Sequence, residues 1–176
     1  MSEIVTIRKP IASDEDLFLS AMQRSLSLHE PWVKSPQTKE EFQKYLERIN
    51  LPNQMAFLAC NPIGDILGVF NISEIVRGAF QSAYLGFYAV ADYSGKGYMS
   101  QSIKLVLKNI FEEMKLHRIE ANIQPENFLS INLVKSNGFV KEGFSPRYLN
   151  INGFWRDHER WALTYEDWLQ KTSALV

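Results

Sequence analysis

The second half of the chain alternates strand-like and helix-like segments, and this alternation constrains the fold more than any other feature. A strand-like run over 82–90 leads through a turn into apolar residues with helical spacing from Ile103 to Met114. Strand-like runs at 117–123 and 139–144 then enclose a further helical segment, 127–137. Strand, helix, strand, helix, strand along one chain predicts a sheet that is at least partly parallel.

The remaining segments add antiparallel hairpins and two earlier helices. The strands predicted in addition lie at 5–8, 55–60, 67–73, 148–151 and 154–164. Capping-box pairs, Ser13 with Asp16 and Thr38 with Glu41, predict helices over 13–28 and 38–49. Asn152-Gly153 predicts a tight hairpin turn. Gly86, inside its strand, predicts a bulge or a close backbone approach.

Composition excludes several classes of function. Nineteen Lys plus Arg stand against 20 Asp plus Glu, so there is no basic excess for nucleic-acid binding. Cys60 is alone, which excludes an internal disulfide and favours a reducing compartment. The three histidines lack the H-x-x-x-H spacing of a metal site. No stretch is apolar enough to span a membrane, and the N-terminal residues lack a signal-peptide pattern. We therefore expect a cytoplasmic protein with one domain, 1–176, and no metal.

The turn Ser94-Gly95-Lys96-Gly97-Tyr98 joins the 82–90 strand to a helix, and this kind of junction exposes backbone N–H groups at a positive helix end. No carboxylate occurs from Tyr93 to Phe111 to occupy that end. The turn therefore predicts an anion site. It lacks the pattern of a P-loop, and it matches a dinucleotide-binding fingerprint only loosely.

Several motifs in register then resemble the Gcn5-related N-acetyltransferase (GNAT) family, over nearly the whole chain. They are Tyr84-Leu85-Gly86-Phe87-Tyr88, Ser94-Gly95-Lys96-Gly97-Tyr98-Met99, His117-Arg118-Ile119-Glu120-Ala121, Asn127-Phe128-Leu129-Ser130, Asn137-Gly138-Phe139 and Glu142-Gly143. Residues 71–88, His29-Glu30-Pro31-Trp32 and Trp155-Arg156-Asp157-His158 are most similar to the RimJ/RimL branch, the ribosomal-protein N-terminal acetyltransferases.

This resemblance implies an α+β (α/β) fold with a mixed, mostly antiparallel sheet of about seven strands, splayed near the cofactor and covered by helices on both faces. It implies acetyl-CoA as co-substrate. The residues that it assigns to the cofactor are Tyr88, Ala89, Val90, Ser94, Gly95, Lys96, Gly97, Tyr98, Met99, Asn127 and Ser130. The turn departs from the family pattern at Ser94 and Met99, which puts affinity in question more than function, because the contacts to phosphate are mainly backbone N–H groups.

The resemblance gives weaker guidance for the chemistry. A backbone N–H near Val90 is the candidate for polarising the thioester carbonyl. Ser130 is the candidate for protonating the thiolate, with Tyr148 as the second choice. The RimL branch has a carboxylate where this chain has Arg147, so Glu74 is the remaining candidate base. A base is also dispensable, because an α-amine has a pKa of about 7.7–8.0.

The sequence does not identify the molecule that accepts the acetyl group. Trp32, Tyr45, Arg147 and Trp155 are candidates for its entrance, whereas Asp157 and His158 are interpreted as structural. The main hypothesis is transfer to the N-terminal amine of a ribosomal protein. The alternatives are a small amine, such as a polyamine, an amino acid or an antibiotic, and an acyl-CoA-binding protein without catalysis. We expect neither nucleic acid nor membrane as a partner, and a homodimer is left open.

Overall fold

The computed structural model describes residues 5–173, which form one seven-stranded mixed sheet with helices on both faces. Its strands are β1 Thr6–Arg8, β2 Met55–Cys60, β3 Ile66–Val76, β4 Ser82–Ala89, β5 Arg118–Ile123, β6 Val140–Ile151 and β7 Phe154–Thr164. Their spatial order is β1-β2-β3-β4-β5-β7-β6, and only β4 and β5 are parallel neighbours. The predicted mixed, mostly antiparallel sheet is confirmed.

Within residues 5–173, six α-helices accompany the sheet. They are α1 Glu15–Arg24, α2 Leu26–His29, α3 Lys39–Ile49, α4 Tyr98–Lys108, α5 Phe128–Ser136 and α6 Tyr165–Ser173. Helix α4 continues into a π-helical turn, and 3₁₀ turns precede α1 and follow β4. The predicted Thr38 cap is confirmed, because the Thr38 hydroxyl accepts the Glu41 N–H at 3.2 Å.

Strand alternation divides the core into two layers. Along β2, Phe57 and Ala59 pack with α4 and α6, whereas Ala56, Leu58 and Cys60 pack with α1 and α3. We call these the α4 face and the α1 face of the sheet. The same alternation places each side chain of β4, β5 and β7 on one of the two faces.

The sheet splits between its two parallel strands. Pairing of β4 with β5 covers only Ser82–Tyr84 against Arg118–Glu120. Beyond Tyr84 the two strands diverge, so the backbone groups of β4 that point toward β5 are not used by the sheet there. The splayed sheet that the resemblance implied is therefore present.

The prediction of one helix over 13–28 is wrong in two respects, because the helix begins later and is divided into α1 and α2. Ser13 lies in the 3₁₀ turn, and the carboxylate of Asp14, not that of Asp16, accepts the Ile11 N–H at 2.8 Å. The helix also breaks at Ser25. The Ser25 hydroxyl donates to the Ala21 carbonyl at 2.7 Å and accepts the Ala91 N–H at 2.9 Å. A partner distant in sequence thus determines the break.

Three other features of the fold differ from prediction. The strands predicted at 139–144 and 148–151 are one strand, β6, with an irregular register between Ser145 and Leu149. The irregularity of β3 lies between Ser73 and Val76, whereas Gly86 pairs regularly with Asn71. Helix α6 had no predicted counterpart. The Asn152-Gly153 turn is confirmed, with φ of +51° and +86°.

Candidate active site

A cleft of about 630 Å³ opens where β4 and β5 separate. Residues Leu85, Gly86, Phe87, Tyr88 and Ala89 of β4 lie along its middle. One end, which we call the turn end, is lined by Tyr93, Ser94, Gly95, Gly97, Tyr98, Met99, Ser100, Asn127, Leu129, Ser130, Asn132, Leu133 and Ser136. The other, the histidine end, is lined by Leu28, His29, Trp32, Val33, Asn122, Ile123, Gln124, Leu149, Ile151 and His158.

The turn end presents backbone amides at the start of α4. Gly97 is the residue before the helix, with φ of +83°, and Gly95 has φ of +73°. No side chain caps this helix end, and its first turn has no acidic residue. A Cβ added to either glycine would meet no heavy atom within 4 Å. This open cradle of N–H groups at a positive helix end fits a phosphate or pyrophosphate group.

Local contacts hold the side chains of Lys96 and Met99 at this turn. Lys96 Nζ donates to the Asp92 carbonyl at 2.8 Å and lies 5.6 Å from the centre of the Tyr93 ring. Met99 packs over Gly68 of β3, where an added Cβ would lie 2.4 Å from the Met99 sulfur. A methionine is accommodated at this turn because the neighbouring strand has glycine opposite it.

The free edge of β4 supplies one amide at the centre of the cleft. The Val90 N–H donates to the Leu67 carbonyl at 2.9 Å, so the sheet already uses it. Amides alternate in direction along a strand, which turns the Ala89 N–H toward the cleft. Among the amides near Val90, the Ala89 N–H is therefore one that faces the cleft.

His29 is fully engaged at the histidine end. Its Nε2 lies 2.7 Å from the Ala89 carbonyl oxygen, an acceptor, so Nε2 carries the proton. Its Nδ1 then accepts from the Ser35 hydroxyl at 3.1 Å, and that hydroxyl accepts from Gln37 Nε2 at 2.8 Å. Burial lowers the pKa of His29, which keeps the ring neutral. The ring fixes the position of the Ala89 carbonyl.

His158 has the opposite tautomer. Its Nδ1 lies 2.9 Å from the Arg156 carbonyl oxygen, so Nδ1 carries the proton and Nε2 keeps a lone pair. The side chain is buried, and burial lowers its pKa. The Tyr148 ring lies 6.2 Å from the His158 ring, centre to centre.

The cleft has no charged wall. Among the described residues that line it there is no Asp, Glu, Lys or Arg. Its titratable groups at neutral pH are the two imidazoles, since burial raises the pKa of the Tyr88 hydroxyl further above neutrality.

The structure brings ten of the predicted site residues into the lining: Trp32, Tyr88, Ala89, Ser94, Gly95, Gly97, Tyr98, Met99, Asn127 and Ser130. At the start of α5, the Asn127 side chain accepts the Ser130 N–H at 3.2 Å. Asn127 is therefore the helix cap, and this bond holds Ser130 in the cleft wall.

The other seven predicted residues lie outside the lining. Val90 and Lys96 are adjacent to it through β4 and the turn, and Tyr148 is adjacent through His158. Tyr45 is buried, with its hydroxyl donating to Asn71 at 2.9 Å. Glu74, expected to face the cleft, lies instead at the irregularity of β3, where its carboxylate accepts from Gln54 at 3.4 Å.

Arg147 and Trp155, the other two predicted residues outside the lining, belong to the β6–β7 hairpin. Arg147 has φ of +48°, and its N–H donates to Asp157 at 2.7 Å. Trp155 lies next to the hairpin tip and is 62% exposed.

Sequence reasoning missed four polar residues of the histidine end: His29, Asn122, Gln124 and His158. Gln124 Nε2 donates to the Pro31 carbonyl at 3.2 Å and so joins the 30–38 loop to β5. Alternation in the β5 and β7 sequences places Asn122, Gln124 and His158 on the face opposite the buried apolar residues. Three polar side chains on one face of neighbouring strands were the available signal.

Residues 5–173 contain no group of three or more His, Cys, Asp or Glu side chains that could hold a metal ion. Within the same range, no helix has the length and apolar character needed to cross a membrane.

A split β-sheet with an amide cradle beside its free strand edge fits an extended ligand that carries a phosphate group. The family model for the acetyltransferase (GNAT) domain matches residues 5–140. The chain belongs to the GNAT family, and it is an acetyltransferase.

Particular members of the family are similar to this chain. The [ribosomal protein uS5]-alanine N-acetyltransferase of Escherichia coli is 41% identical over 104 residues, which cover 59% of this chain and 54% of that enzyme. The match therefore spans about half the length of that relative. The structure of ribosomal-protein-S5-alanine acetyltransferase from Vibrio fischeri has a TM-score of 0.84 at 29% identity, with 96% of this chain and 97% of that chain covered.

A second solved structure shows the shared fold. The structure of Mycobacterium smegmatis RimJ in complex with CoA-disulfide has a TM-score of 0.88 at 24% identity, covering 98% of this chain and 90% of that chain. The predicted family and its RimJ-like branch are confirmed by these comparisons.

Proposed function

We propose that residues 1–176 act as one acetyltransferase domain that transfers an acetyl group from acetyl-CoA to the N-terminal α-amine of a protein, with a ribosomal protein as the first candidate. The similar proteins that act on uS5 alanine support this acceptor. The similar RimJ structure that holds a CoA disulfide supports the donor.

The proposed binding mode assigns each end of the cleft a task. The amides of Gly95, Lys96, Gly97, Tyr98 and Met99 hold the pyrophosphate of acetyl-CoA, with Ser94 before them. Pantetheine lies along Tyr88 and Ala89 of β4 as an added strand, with Asn127 on its other side. The Ala89 N–H then lies where the thioester carbonyl develops negative charge.

The uncharged cleft is the observation that carries the choice of acceptor. A polyamine brings several ammonium groups, and the described lining has no carboxylate to pair with them. At pH 7 an α-amine with a pKa near 8 is about one-tenth neutral, whereas less than about one-thousandth of a lysine-type amine is neutral. A protein N-terminus therefore offers a nucleophile that an uncharged site can accept.

The remaining candidate side chains have separate roles in this proposal. The peptide enters at the histidine end between Trp32 and the β6–β7 hairpin, and Arg147 and Trp155 line the outer approach. Ser130 protonates the leaving thiolate, with Tyr148 as the alternative donor. Tyr45 acts only through its bond to Asn71. Glu74 faces Gln54, so any part that it plays would run through water.

An acetylation panel tests the proposal. The protein is incubated with acetyl-CoA and, separately, a uS5 peptide that begins with alanine, the same peptide with a blocked N-terminus and one added lysine, and spermidine. Thiol release and product mass are followed. We expect acetylation of the free N-terminus above the other two. Preference for spermidine would select the small-amine alternative, and tight CoA binding with no turnover on any amine would select the acyl-CoA-binding alternative.

A further inference from the structure

His158 and Asn122 are neighbouring polar side chains in the wall of the cleft. Neither the fold nor the phosphate-binding turn requires polar groups there. Alternation from the buried Trp161 places His158 on the α1 face of β7, and alternation from Ile123 places Asn122 on the α1 face of β5. Asn122 is opposite Arg160, so His158 is its diagonal neighbour on the adjacent strand, within side-chain reach. Both side chains line the cleft.

Both side chains also offer unused acceptor capacity. The His158 Nδ1 proton is donated to the Arg156 carbonyl, which leaves the Nε2 lone pair. Asn122 Oδ1 is buried and has no hydrogen-bond partner among the described residues. A buried acceptor without a donor is costly, so the arrangement gains stability when a ligand brings an N–H group.

The other imidazole of the cleft, that of His29, has no free nitrogen with which to accept a proton. His29 donates from Nε2 to the Ala89 carbonyl and accepts at Nδ1 from Ser35, so both of its nitrogens are occupied. The described lining contains no carboxylate to act as a base. His158 Nε2 is the one basic lone pair of the described lining that remains.

We infer that His158 and Asn122 form the amine subsite, in which Asn122 Oδ1 accepts one N–H of the substrate amine and His158 Nε2 takes the proton that the amine loses. The inference rests on the proposed function, because it needs an amine and a thioester in this cleft. It assigns the base to a residue of β7 in place of Glu74.

The proton balance is simple. The neutral amine nitrogen attacks the thioester carbon, the C–N bond forms, and the C–S bond breaks with its electron pair on sulfur. The nitrogen proton moves to His158 Nε2, and the imidazolium later gives it to water. The thiolate takes a proton from the Ser130 hydroxyl, which water restores. The net change moves one proton from nitrogen to sulfur.

The surroundings of His158 keep it able to accept a proton near neutral pH. Burial lowers the pKa of His158 and outweighs the Arg156 carbonyl and the Asp157 carboxylate, which both raise it. The titratable group that faces it from β6 is Tyr148, and the Arg147 N–H of the same strand engages the Asp157 carboxylate. From β5 the nearest side chains of this face, Asn122 and Gln124, are uncharged amides.

The test compares three histidine variants with a peptide acceptor. His158→Gln should lower kcat by about 100-fold or more, the usual range for loss of proton transfer by a side chain, with KM for acetyl-CoA unchanged. His29→Gln should instead raise KM for acetyl-CoA. His117→Gln is the matched control, because His117 is exposed, pairs with Glu166 and lies outside the cleft. A His158→Gln enzyme with the kcat of the wild type overturns the inference.

A measurement on the unaltered enzyme decides the matter even if His158→Gln does not fold. The acceptor is a peptide with an aminooxy group at its N-terminus, whose nitrogen is a weaker base than an ordinary imidazole and is unprotonated from mildly acidic pH upward. We expect kcat/KM to rise with pH through a single step below the usual histidine value of about 6.5. A flat profile overturns the inference while leaving the proposed function intact, whereas absence of turnover on every amine overturns the proposed function itself.

Discussion

At the scale of single residues, Gly97 decides whether the amide cradle of α4 stays open. Its φ of +83° disfavours any residue with a side chain, and its Cβ position opens into the cleft. We predict that Gly97→Trp weakens CoA binding by at least about tenfold, which is about 1.4 kcal/mol, because the indole fills the phosphate position. Isothermal titration calorimetry with CoA measures this effect.

Gly64 offers the matched control for Gly97. It has φ of +95°, open space around its Cβ position, and a place in the β2–β3 turn outside the cleft lining. Gly64→Trp incurs a similar backbone strain of about 1–2 kcal/mol and should bind CoA like the wild type. Equal CoA affinity in the two variants would remove the turn from the binding site.

Ser130 is held by the cap of α5, so its hydroxyl can be removed without moving the backbone. We predict that Ser130→Ala lowers kcat by about 100-fold, the lower part of the range for side-chain proton transfer, and weakens CoA binding by much less than that. Stopped-flow thiol release and calorimetry separate the two quantities. A variant that turns over like the wild type removes Ser130 from the reaction.

At the scale of elements, β3 and α4 meet at one close contact. A methyl group at Gly68 would approach the Met99 sulfur to 2.4 Å and the Tyr88 carbonyl oxygen to 3.2 Å. We predict that Gly68→Ala lowers the free energy of unfolding by about 1–3 kcal/mol through overpacking. In a Met99→Ala background the same change should have a smaller effect. Urea unfolding of the four proteins measures the coupling, and strict additivity would contradict it.

The sequence determined most elements through local signals and failed where a distant partner acts. Alternation and turn residues located β2, β7 and the Asn152-Gly153 turn. The break at Ser25 escaped prediction because it depends on the Ala91 N–H, 66 positions away. The sequence pattern divides 139–144 from 148–151, whereas pairing with β7 carries β6 past the irregularity as one strand.

In the candidate site, too, local sequence signals predicted one part and distant partners formed the other. The turn end was predictable because glycines and missing carboxylates are visible in a short window of sequence. The histidine end was not, because its residues come from α2, β5 and β7, and only the split sheet brings them together. The tautomers that distinguish His29 from His158 depend on the Ala89 and Arg156 carbonyls, which a sequence pattern does not show.

At the scale of the whole molecule, the two buried imidazoles make stability depend on pH. Burial lowers the folded-state pKa of both His29 and His158 below the unfolded value of about 6.5. The unfolded chain therefore binds more protons as the pH falls below that value, and the folded state loses stability. The stabilising effect of neutral imidazoles is complete above pH 6.5.

We predict that the free energy of unfolding decreases as pH falls from about 6.5, with a slope of at most about 1.4 kcal/mol per pH unit for each imidazole. Urea unfolding between pH 5 and pH 7.5 measures this. The His158→Gln protein should show a shallower decrease than the wild type. An unfolding free energy that rises on acidification through this range would contradict the account.

The most direct test of the central claim is a crystal structure of the protein with CoA. The account predicts the pyrophosphate on the amides of Gly95–Met99, pantetheine along the free edge of β4 and the sulfur in the middle of the cleft, between the Ala89 N–H and His158. CoA bound elsewhere, with this cleft closed to it, would contradict the account.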